Sequence, residues 1–230
     1  MILKGLQKTT LLDFPGKVAC TVFTGGCNLR CPFCHNSLLV LNPNDQPDLD
    51  IDEFFTFLSK RRGILDGVAI TGGEPLLNLD IEEFIGRIRD MGFLIKLDTN
   101  GFFPDRLEKL IDDGMLDYIA VDIKNTREKY GVTVGVPDIN LAPLDRTISI
   151  LSRAKVPYEY RTTAVAEYHT PDDFDKIGCW ISGCPAYFIQ AYKDSGSVIS
   201  EGLHPLSDDG YRACLEKASN HLPNASLRGI

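Results

Sequence analysis

The alternation of short β-branched runs with helical patterns is the feature of this sequence that most constrains its fold. Segments 51–58 and 81–88 each repeat apolar residues at i, i+3, i+4 and i+7, the spacing of one buried helix face. Strands that alternate with such helices favour a parallel sheet. We therefore predict an α/β fold: an open, partial (β/α)6 barrel, TIM-like, with parallel strands. The six predicted strands are 18–24, 67–71, 93–98, 118–122, 158–163 and 187–191.

Helix starts are marked by residues that favour the first turn. Asp50 and Asp80 each have a Glu three residues later, which is the spacing of a capping box. Pro104 and Pro171 suit the first helical position, where a missing backbone N–H costs nothing.

The length of 230 residues and the 43% hydrophobic content suit a single domain with a buried core. Residues 1–19 are predicted to be an N-terminal cover segment, 20–191 the barrel core and 192–230 a C-terminal tail. Segment 125–140 is predicted to be a loop, long enough to serve as a lid or a partner surface, or to be a solvated connection.

The composition excludes several classes of protein. A formal charge of -8 argues against binding to nucleic acid, which requires clustered Lys and Arg. No apolar run approaches the roughly 20 residues that span a bilayer, so we expect no membrane partner. Seven cysteines without a signal peptide indicate a reducing compartment, and the expected location is the cytoplasm.

Three cysteines, Cys27, Cys31 and Cys34, are packed into one short turn. A four-iron cluster normally takes four cysteine ligands, so three would leave one iron open for another ligand. Structural zinc sites usually have two Cys-x2-Cys pairs or Cys/His quartets, and the second pair is missing here. An iron–sulfur site is therefore favoured over zinc, and unligated core cysteines are the third interpretation.

Polar groups recur where the predicted strands end, which is where active sites of parallel α/β folds gather. Gly72 and Gly73 allow close approach of the backbone to a ligand, and Glu74 offers an acceptor to a cationic amine. The strand-end segments are 71–75, 98–101, 122–124 and 161–163.

Two carboxylates, Asp98 and Asp122, end adjacent predicted strands and would favour a cation or a sulfonium-bearing ligand. The alternative is that each is a helix N-cap. Whether a monovalent cation binds between them stays open. Lys124 and Arg161 could pair with a ligand carboxylate or with these same aspartates.

The Cys-x3-Cys-x2-Cys spacing, the preceding Gly-Gly and the aromatic Phe33 resemble the signature of the radical S-adenosylmethionine (radical SAM) superfamily. The resemblance implies a [4Fe-4S] cluster on the three cysteines, with its open iron chelated by SAM. It also implies that Gly-Gly-Glu-Pro at 72–75 meets the amino group of SAM. Reductive cleavage of SAM would give methionine and a 5'-deoxyadenosyl radical, which abstracts hydrogen from the substrate. The remaining implied SAM contacts are Phe33, Asn36, Asp98, Thr99, Asn100, Asp122, Lys124, Arg161 and Gln190, of which Gln190 either reaches the adenine or makes a structural hydrogen bond.

Within the superfamily, residues 1–191 look like glycyl-radical-enzyme activating proteins, on the segments 6–17, 31–36, 98–101, 122–124 and 161–163. The nearest likeness is to activating proteins of anaerobic ribonucleoside-triphosphate reductase, with pyruvate formate-lyase activating enzymes nearby. Such a protein removes hydrogen from a backbone glycine of a partner enzyme. Segment 37–66 contains no cysteine, so a ferredoxin-type insert is absent and an external donor such as flavodoxin or ferredoxin is implied.

Other functions stay open at this stage. A small-molecule radical SAM enzyme is one, and a non-catalytic iron–sulfur electron carrier with a fourth protein ligand is another. A zinc-stabilised binding domain is the third. Cys179, Cys184 and Cys214 are predicted to be plain thiols, and His169 and His204 to be surface histidines.

Overall fold

A computed structural model describes residues 1–194 and 196–230. The chain divides into two compact units, which we call unit one and unit two. Unit one comprises Met1–Asn28, Leu38–Ala120 and Ala154–Pro157, and unit two comprises Leu29–Ser37, Val121–Arg153 and Tyr158–Ile230.

The secondary structure alternates strands and helices over most of the chain. The strands are β1 (Leu3–Thr10), β2 (Ala19–Thr24), β3 (Gly67–Gly72), β4 (Leu94–Thr99), β5 (Tyr118–Asp122), β6 (Tyr158–Ala164), β7 (Tyr187–Ala191) and β8 (Ala225–Arg228). The helices are α1 (Ser37–Leu41), α2 (Ile51–Ser59), α3 (Ile81–Asp90), α4 (Pro104–Asp112), α5 (Tyr130–Thr133), α6 (Ala142–Leu151), α7 (Pro171–Trp180) and α8 (Asp208–Ser219). Short 3-10 turns lie at Pro43–Asp45 and Pro75–Leu77.

In unit one the strands pair in chain order. β1 is antiparallel to β2, whereas β2 with β3 and β3 with β4 are parallel. The start of β5 follows β4, and the N–H of Asp117 donates to the carbonyl of Ile95 at 2.9 Å. The helices α2 to α4 contribute apolar residues to the core of this unit, which are Phe54, Leu58, Ile81, Phe84, Ile85, Ile88, Leu107 and Leu110.

Unit two continues the same pattern from the end of β5. The N–H of Ile123 donates to the carbonyl of Arg161 at 2.8 Å, and β6 with β7 and β7 with β8 are parallel. Arg228 of β8 donates two hydrogen bonds, of 3.0 and 3.2 Å, to the buried carboxylate of Glu159 on β6. Its guanidinium also lies 3.6 Å from the centre of the Phe188 ring.

The predicted α/β fold with parallel strands is confirmed. All six predicted strands are present as β2 to β7, each within one residue of the expected bounds. The cover segment contains β1, which pairs with β2. The predicted C-terminal tail, 192–230, contains a helix, α8, and a further strand, β8.

The helix-start predictions have mixed outcomes. Asp50 caps α2 by accepting from the N–H groups of Asp52 and Glu53, and α4 and α7 begin at Pro104 and Pro171 as predicted. The prediction for Asp80 is wrong. Its side chain makes no cap bond to α3, because its carboxylate pairs with the terminal ammonium of Met1.

Segment 125–140 is not the solvated loop that the sequence allows. It contains α5 and buries Asn125, Tyr130 and Thr133 within unit two. None of the described helices has both the length and the apolar content needed to cross a membrane.

Candidate active site

The turn after β3 lies directly against the backbone that precedes the first motif cysteine in unit one. The N–H of Gly73 donates to the carbonyl of Thr24 at 2.9 Å, and that of Glu74 donates to Gly26 at 2.8 Å. A Cβ atom on Gly73 would lie 1.8 Å from the carbonyl oxygen of Gly26. Gly72 has a φ of +116°, which favours glycine. These glycines therefore allow two backbone segments to meet, whereas their predicted role was to let the backbone approach a ligand.

Glu74 is fully buried, and its carboxylate is held by hydrogen-bond donors of unit one. The Thr99 hydroxyl and the Asn100 N–H each donate to it at 2.7 Å. The N–H of Leu76 donates to it at 3.1 Å, which caps the 3-10 turn. Buried carboxylates need such partners. In the structure Glu74 thus joins the end of β3 to the end of β4, while its contact with SAM stays a prediction.

Asn100 extends this network to the first cysteine. Its amide donates to the Asn28 side chain at 2.7 Å and lies 3.7 Å from the sulfur of Cys27. Its carbonyl oxygen accepts from the N–H of Phe102 at 3.1 Å, which fixes the orientation of the amide. The predicted Thr99 and Asn100 therefore form a wall of unit one that includes Cys27.

Asp98 pairs with Lys96, which is on the same strand and two residues earlier. In unit two, Asp122 pairs with both neighbouring cations: Lys124 Nζ lies 3.1 Å and Arg161 Nε lies 3.0 Å from its carboxylate. Neither aspartate is the N-cap of a described helix. The alternative of two helix caps is therefore wrong.

The charges in unit two set the ionisation of the Asp122 group. Burial acts to raise the pKa of Asp122, but the positive charges of Arg161 and Lys124 outweigh it and hold the pKa well below its usual range. Lys124 shows the mirror effect: burial acts to lower its pKa, and the Asp122 carboxylate raises it far above its usual value. The group therefore carries one negative and two positive charges at neutral pH, a net positive charge that suits a ligand carboxylate.

The other two motif cysteines lie in unit two, close to this positive group. Burial raises the pKa of the Cys34 thiol, while the N–H of Asn36 and the charge of Lys124 partly offset that effect. Phe33 is buried, and its ring centre lies 5.9 Å from that of Tyr168. Gln190 of β7 stands opposite Thr163 of β6 in the sheet register.

His169 is buried in this site, so the prediction of a surface histidine is wrong at this position. It is 2% exposed, and its ring packs against Phe33 with centres 6.4 Å apart. Its Nδ1 accepts from the N–H of Val165 at 3.2 Å, so Nε2 carries the proton and donates to the Lys124 carbonyl at 2.8 Å. His169 therefore holds the backbone of Lys124 and the aromatic residue of the cysteine motif together.

Two further residues support the same backbone. The Tyr130 hydroxyl accepts from the N–H of Lys124 at 3.3 Å and donates to the Asp122 carbonyl at 3.4 Å. The Asn125 amide donates to the Thr133 hydroxyl at 2.9 Å and to the Tyr168 carbonyl at 3.0 Å. No spacing in the sequence signals these residues, because their contacts are distant in the chain or depend on the fold of segment 125–140.

The donor chemistry of the site fits the implied cofactors. None of the seven cysteines forms a disulfide bond, so the sulfur atoms of the motif are not committed to one another, and the net positive Asp122 group suits the carboxylate of SAM. No cluster of three or more His, Cys, Asp or Glu side chains in the described part of the chain is arranged to hold a metal ion. The assignment of Cys27, Cys31 and Cys34 as ligands therefore stays a prediction from the motif.

Together, the α/β fold and the three-cysteine motif are typical of an iron–sulfur enzyme. The family model for the radical SAM superfamily matches residues 21–177, more than half of the chain. The chain belongs to the radical SAM superfamily, whose cofactors are a [4Fe-4S] cluster and SAM.

Individual relatives agree with this. The chain is 28% identical over 235 residues to a protein of Methanocaldococcus jannaschii named as a glycyl-radical enzyme activating enzyme, covering 100% of this chain and 96% of the relative. It is 27% identical over 194 residues to the pyruvate formate-lyase-activating enzyme of Staphylococcus aureus, covering 78% of this chain and 75% of the relative. These relatives confirm the resemblance to the activating type.

A solved structure shows the same fold. Streptococcus suis SuiB bound to its precursor peptide SuiA superposes with a TM-score of 0.68 at 13% identity, over 90% of this chain and 47% of SuiB. The chain thus spans about half the length of SuiB.

Replacing Gly73 with Ala will disrupt the turn before Cys27, because the added Cβ meets the backbone of Gly26. We expect Gly73→Ala to lower the unfolding midpoint and the iron content after anaerobic reconstitution. Gly86→Ala is the matched control: a Cβ there meets nothing within 4 Å, and Ala in a helix should be neutral or stabilising by up to about 1 kcal/mol. Equal behaviour of the two variants would show that the Gly26 contact is unimportant.

The buried, neutral His169 will make folding sensitive to mild acid. Burial lowers the His169 pKa from its reference value of 6.5, so below that pH the unfolded chain binds a proton that the folded chain does not. The free energy of unfolding should therefore fall as the pH decreases from 6.5, by at most about 1.4 kcal/mol per pH unit. Denaturant titrations between pH 7 and about pH 5, above the usual range of Asp, measure this slope. The slope should diminish in His169→Gln, and an unchanged slope would contradict the assignment.

Proposed function

We propose that this chain is the activase of an anaerobic ribonucleoside-triphosphate reductase, on which it generates a glycyl radical. The observation that carries the activase function is the match, over 100% of this chain and 96% of the relative, to a protein named as a glycyl-radical enzyme activating enzyme. The motif resemblance of segments 98–101, 122–124 and 161–163 supports the reductase as the client.

Pyruvate formate-lyase is the second candidate client. The relative from Staphylococcus aureus that is named for it matches 78% of this chain. The relative that is matched over 96% of its own length is named for no particular client, so the likenesses fit both clients and the experiment below separates them.

The residues of the chain have distinct roles in this proposal. Cys27, Cys31 and Cys34 hold the cluster, and Lys124 and Arg161 attract the SAM carboxylate through the net positive charge of their group. When bound, the cluster and SAM together supply the electron transfer that breaks a carbon–sulfur bond of SAM. The remaining residues position these groups.

The positioning residues act within each unit. Glu74 fixes the ends of β3 and β4 through Thr99 and Asn100, and His169 fixes Lys124 and Phe33. Asn36 and Gln190 complete the proposed SAM contacts. The structure gives Glu74 the geometry of a residue that orients the Gly-Gly turn.

An external protein supplies the electron. Segment 37–66 forms α1, a 3-10 turn and α2 and contains no cysteine, so it holds no second cluster. We propose flavodoxin or ferredoxin as the donor, in the cytoplasm. The balance is one electron from the donor to SAM and one hydrogen atom from the glycine Cα to the 5' carbon, which gives methionine, 5'-deoxyadenosine and the glycyl radical.

The client is proposed to contact the exposed part of segment 125–140. This segment lies against the cysteine motif in unit two, since the N–H of Arg30 donates to the Val134 carbonyl at 2.8 Å. Val132 is 66% exposed although its neighbours Gly131 and Thr133 are buried. SuiB is related in fold and was crystallised with a precursor peptide, which supports a polypeptide substrate on this fold.

Anaerobic reconstitution with iron and sulfide, reduction and addition of SAM should yield 5'-deoxyadenosine in the wild type and none in Cys31→Ala. Cys179→Ala is the matched control, because Cys179 lies on α7 outside the motif, and it should retain the product. Paramagnetic resonance then distinguishes the clients. A glycyl radical signal on the reductase and none on pyruvate formate-lyase supports the proposal, and the reverse transfers the function to the second client.

Substitution of the exposed valine tests the docking surface separately. Val132→Glu should leave the yield of 5'-deoxyadenosine without client unchanged but reduce the glycyl radical yield at least several-fold, because it buries a charge at the interface. Ile64→Glu changes an exposed apolar residue of unit one and should have no effect on either measurement. Full radical yield from Val132→Glu would remove segment 125–140 from the proposed interface.

A further inference from the structure

Lys96 is the most deeply buried charged side chain of β4. The residue is 1% exposed and lies in the middle of the strand, between Ile95 and Leu97, which are both fully buried. Removing an ammonium group from water costs several kcal/mol unless a partner compensates. A lysine at this position therefore has a specific role in unit one.

The partner of Lys96 is Asp98, one of the two aspartates that are predicted to favour a cation. The two residues are separated by one position, so their side chains leave the strand on the same face. Their ammonium and carboxylate groups form an ion pair, and the side chains are 2% and 14% exposed. Lys96 stands opposite Ala69 of β3 in the sheet register, and the small alanine side chain leaves room for the long lysine.

This arrangement puts a positive charge beside the strand-end carboxylate. Asp122, the other carboxylate considered as a cation ligand, has Lys124 and Arg161 beside it in its own unit. Each of the two aspartates is thus compensated by side chains of its own unit. A dissolved cation at Asp98 would have to displace, or lie beside, the ammonium of Lys96.

We propose that the Lys96 ammonium is a built-in cation that takes the place of a monovalent metal ion at Asp98. Wild-type folding and SAM binding are then indifferent to the identity of the monovalent cation. Removal of the ammonium creates the site: a partly buried carboxylate with a space beside it that suits Na⁺, K⁺ or NH4⁺. The inference does not depend on the proposed client or on activase function.

The unfolding midpoint of the cluster-free protein tests this directly, in chloride salts of sodium, potassium, ammonium and tetramethylammonium at equal ionic strength. The wild type should have the same midpoint in all four salts. Lys96→Met should unfold at a lower temperature in tetramethylammonium, which is too large for the space, and regain stability in at least one of the small cations. The double variant K96M/D98N should show no such dependence, because both charges are gone.

Each outcome decides the question. A wild-type midpoint that rises with Na⁺ or K⁺ relative to tetramethylammonium would overturn the proposal, as would a folded Lys96→Met protein that responds to none of the small cations. If Lys96→Met does not fold in tetramethylammonium while K96M/D98N does, recovery of folding by a small cation supports the proposal and failure to recover overturns it. Equilibrium dialysis of labelled SAM against reconstituted wild type should show equal binding in all four salts.

Discussion

The buried carboxylate of Glu74 is the interaction on which the geometry of unit one depends. It accepts hydrogen bonds from the Thr99 hydroxyl and from the N–H groups of Asn100 and Leu76. A carboxylate so deeply buried is costly unless its acceptors are filled, so these donors define one position for it. The consequence reaches Cys27, because the Asn100 amide held by this network also contacts that cysteine.

In unit two, a strand-end carboxylate is stabilised by neighbouring positive charges. Asp122 lies between a lysine and an arginine, and the excess positive charge is held in place by a backbone that Tyr130 and His169 fix through hydrogen bonds. Paired charges of this kind keep their ionisation over a wide pH range. The positive charge that a ligand carboxylate would meet is therefore insensitive to small changes in pH.

Much of the fold could be predicted because its determinants are local. The strands β2 to β7 are short β-branched runs bounded by turn residues, and Pro104 and Pro171 begin their helices as expected. β8 was missed because the four residues Ala225–Arg228 carry little β-branched signal and gain their strand form from pairing with β7. The cap at Asp80 was mispredicted because a distant ammonium competes for its carboxylate. Secondary-structure propensity depends on residues that are close in the chain, so it does not predict contacts with residues that are distant in the chain.

The site could be predicted as a set of residue types but not as a set of contacts. The cysteine spacing and the strand-end positions select Cys27, Glu74 and Asp98 as candidates from sequence, since each lies in a recognisable pattern. His169 has no such pattern: its role follows from hydrogen bonds to Val165 and Lys124, the second of which is 45 residues away. The role of Lys96 was not predicted, because Lys96 lies in the middle of an apolar strand and not at its end.

The bond between Arg228 and Glu159 has a consequence for how the protein is made. These residues are 69 positions apart, and Arg228 lies in the last strand, β8. A ribosome therefore delivers β6 and β7 well before the strand and the guanidinium that complete that edge of the sheet. Unit one, by contrast, receives its final short segment at Ala154–Pro157. All residues of unit one are therefore synthesised before β8, and unit two gains the Arg228–Glu159 ion pair only after β8 has been made.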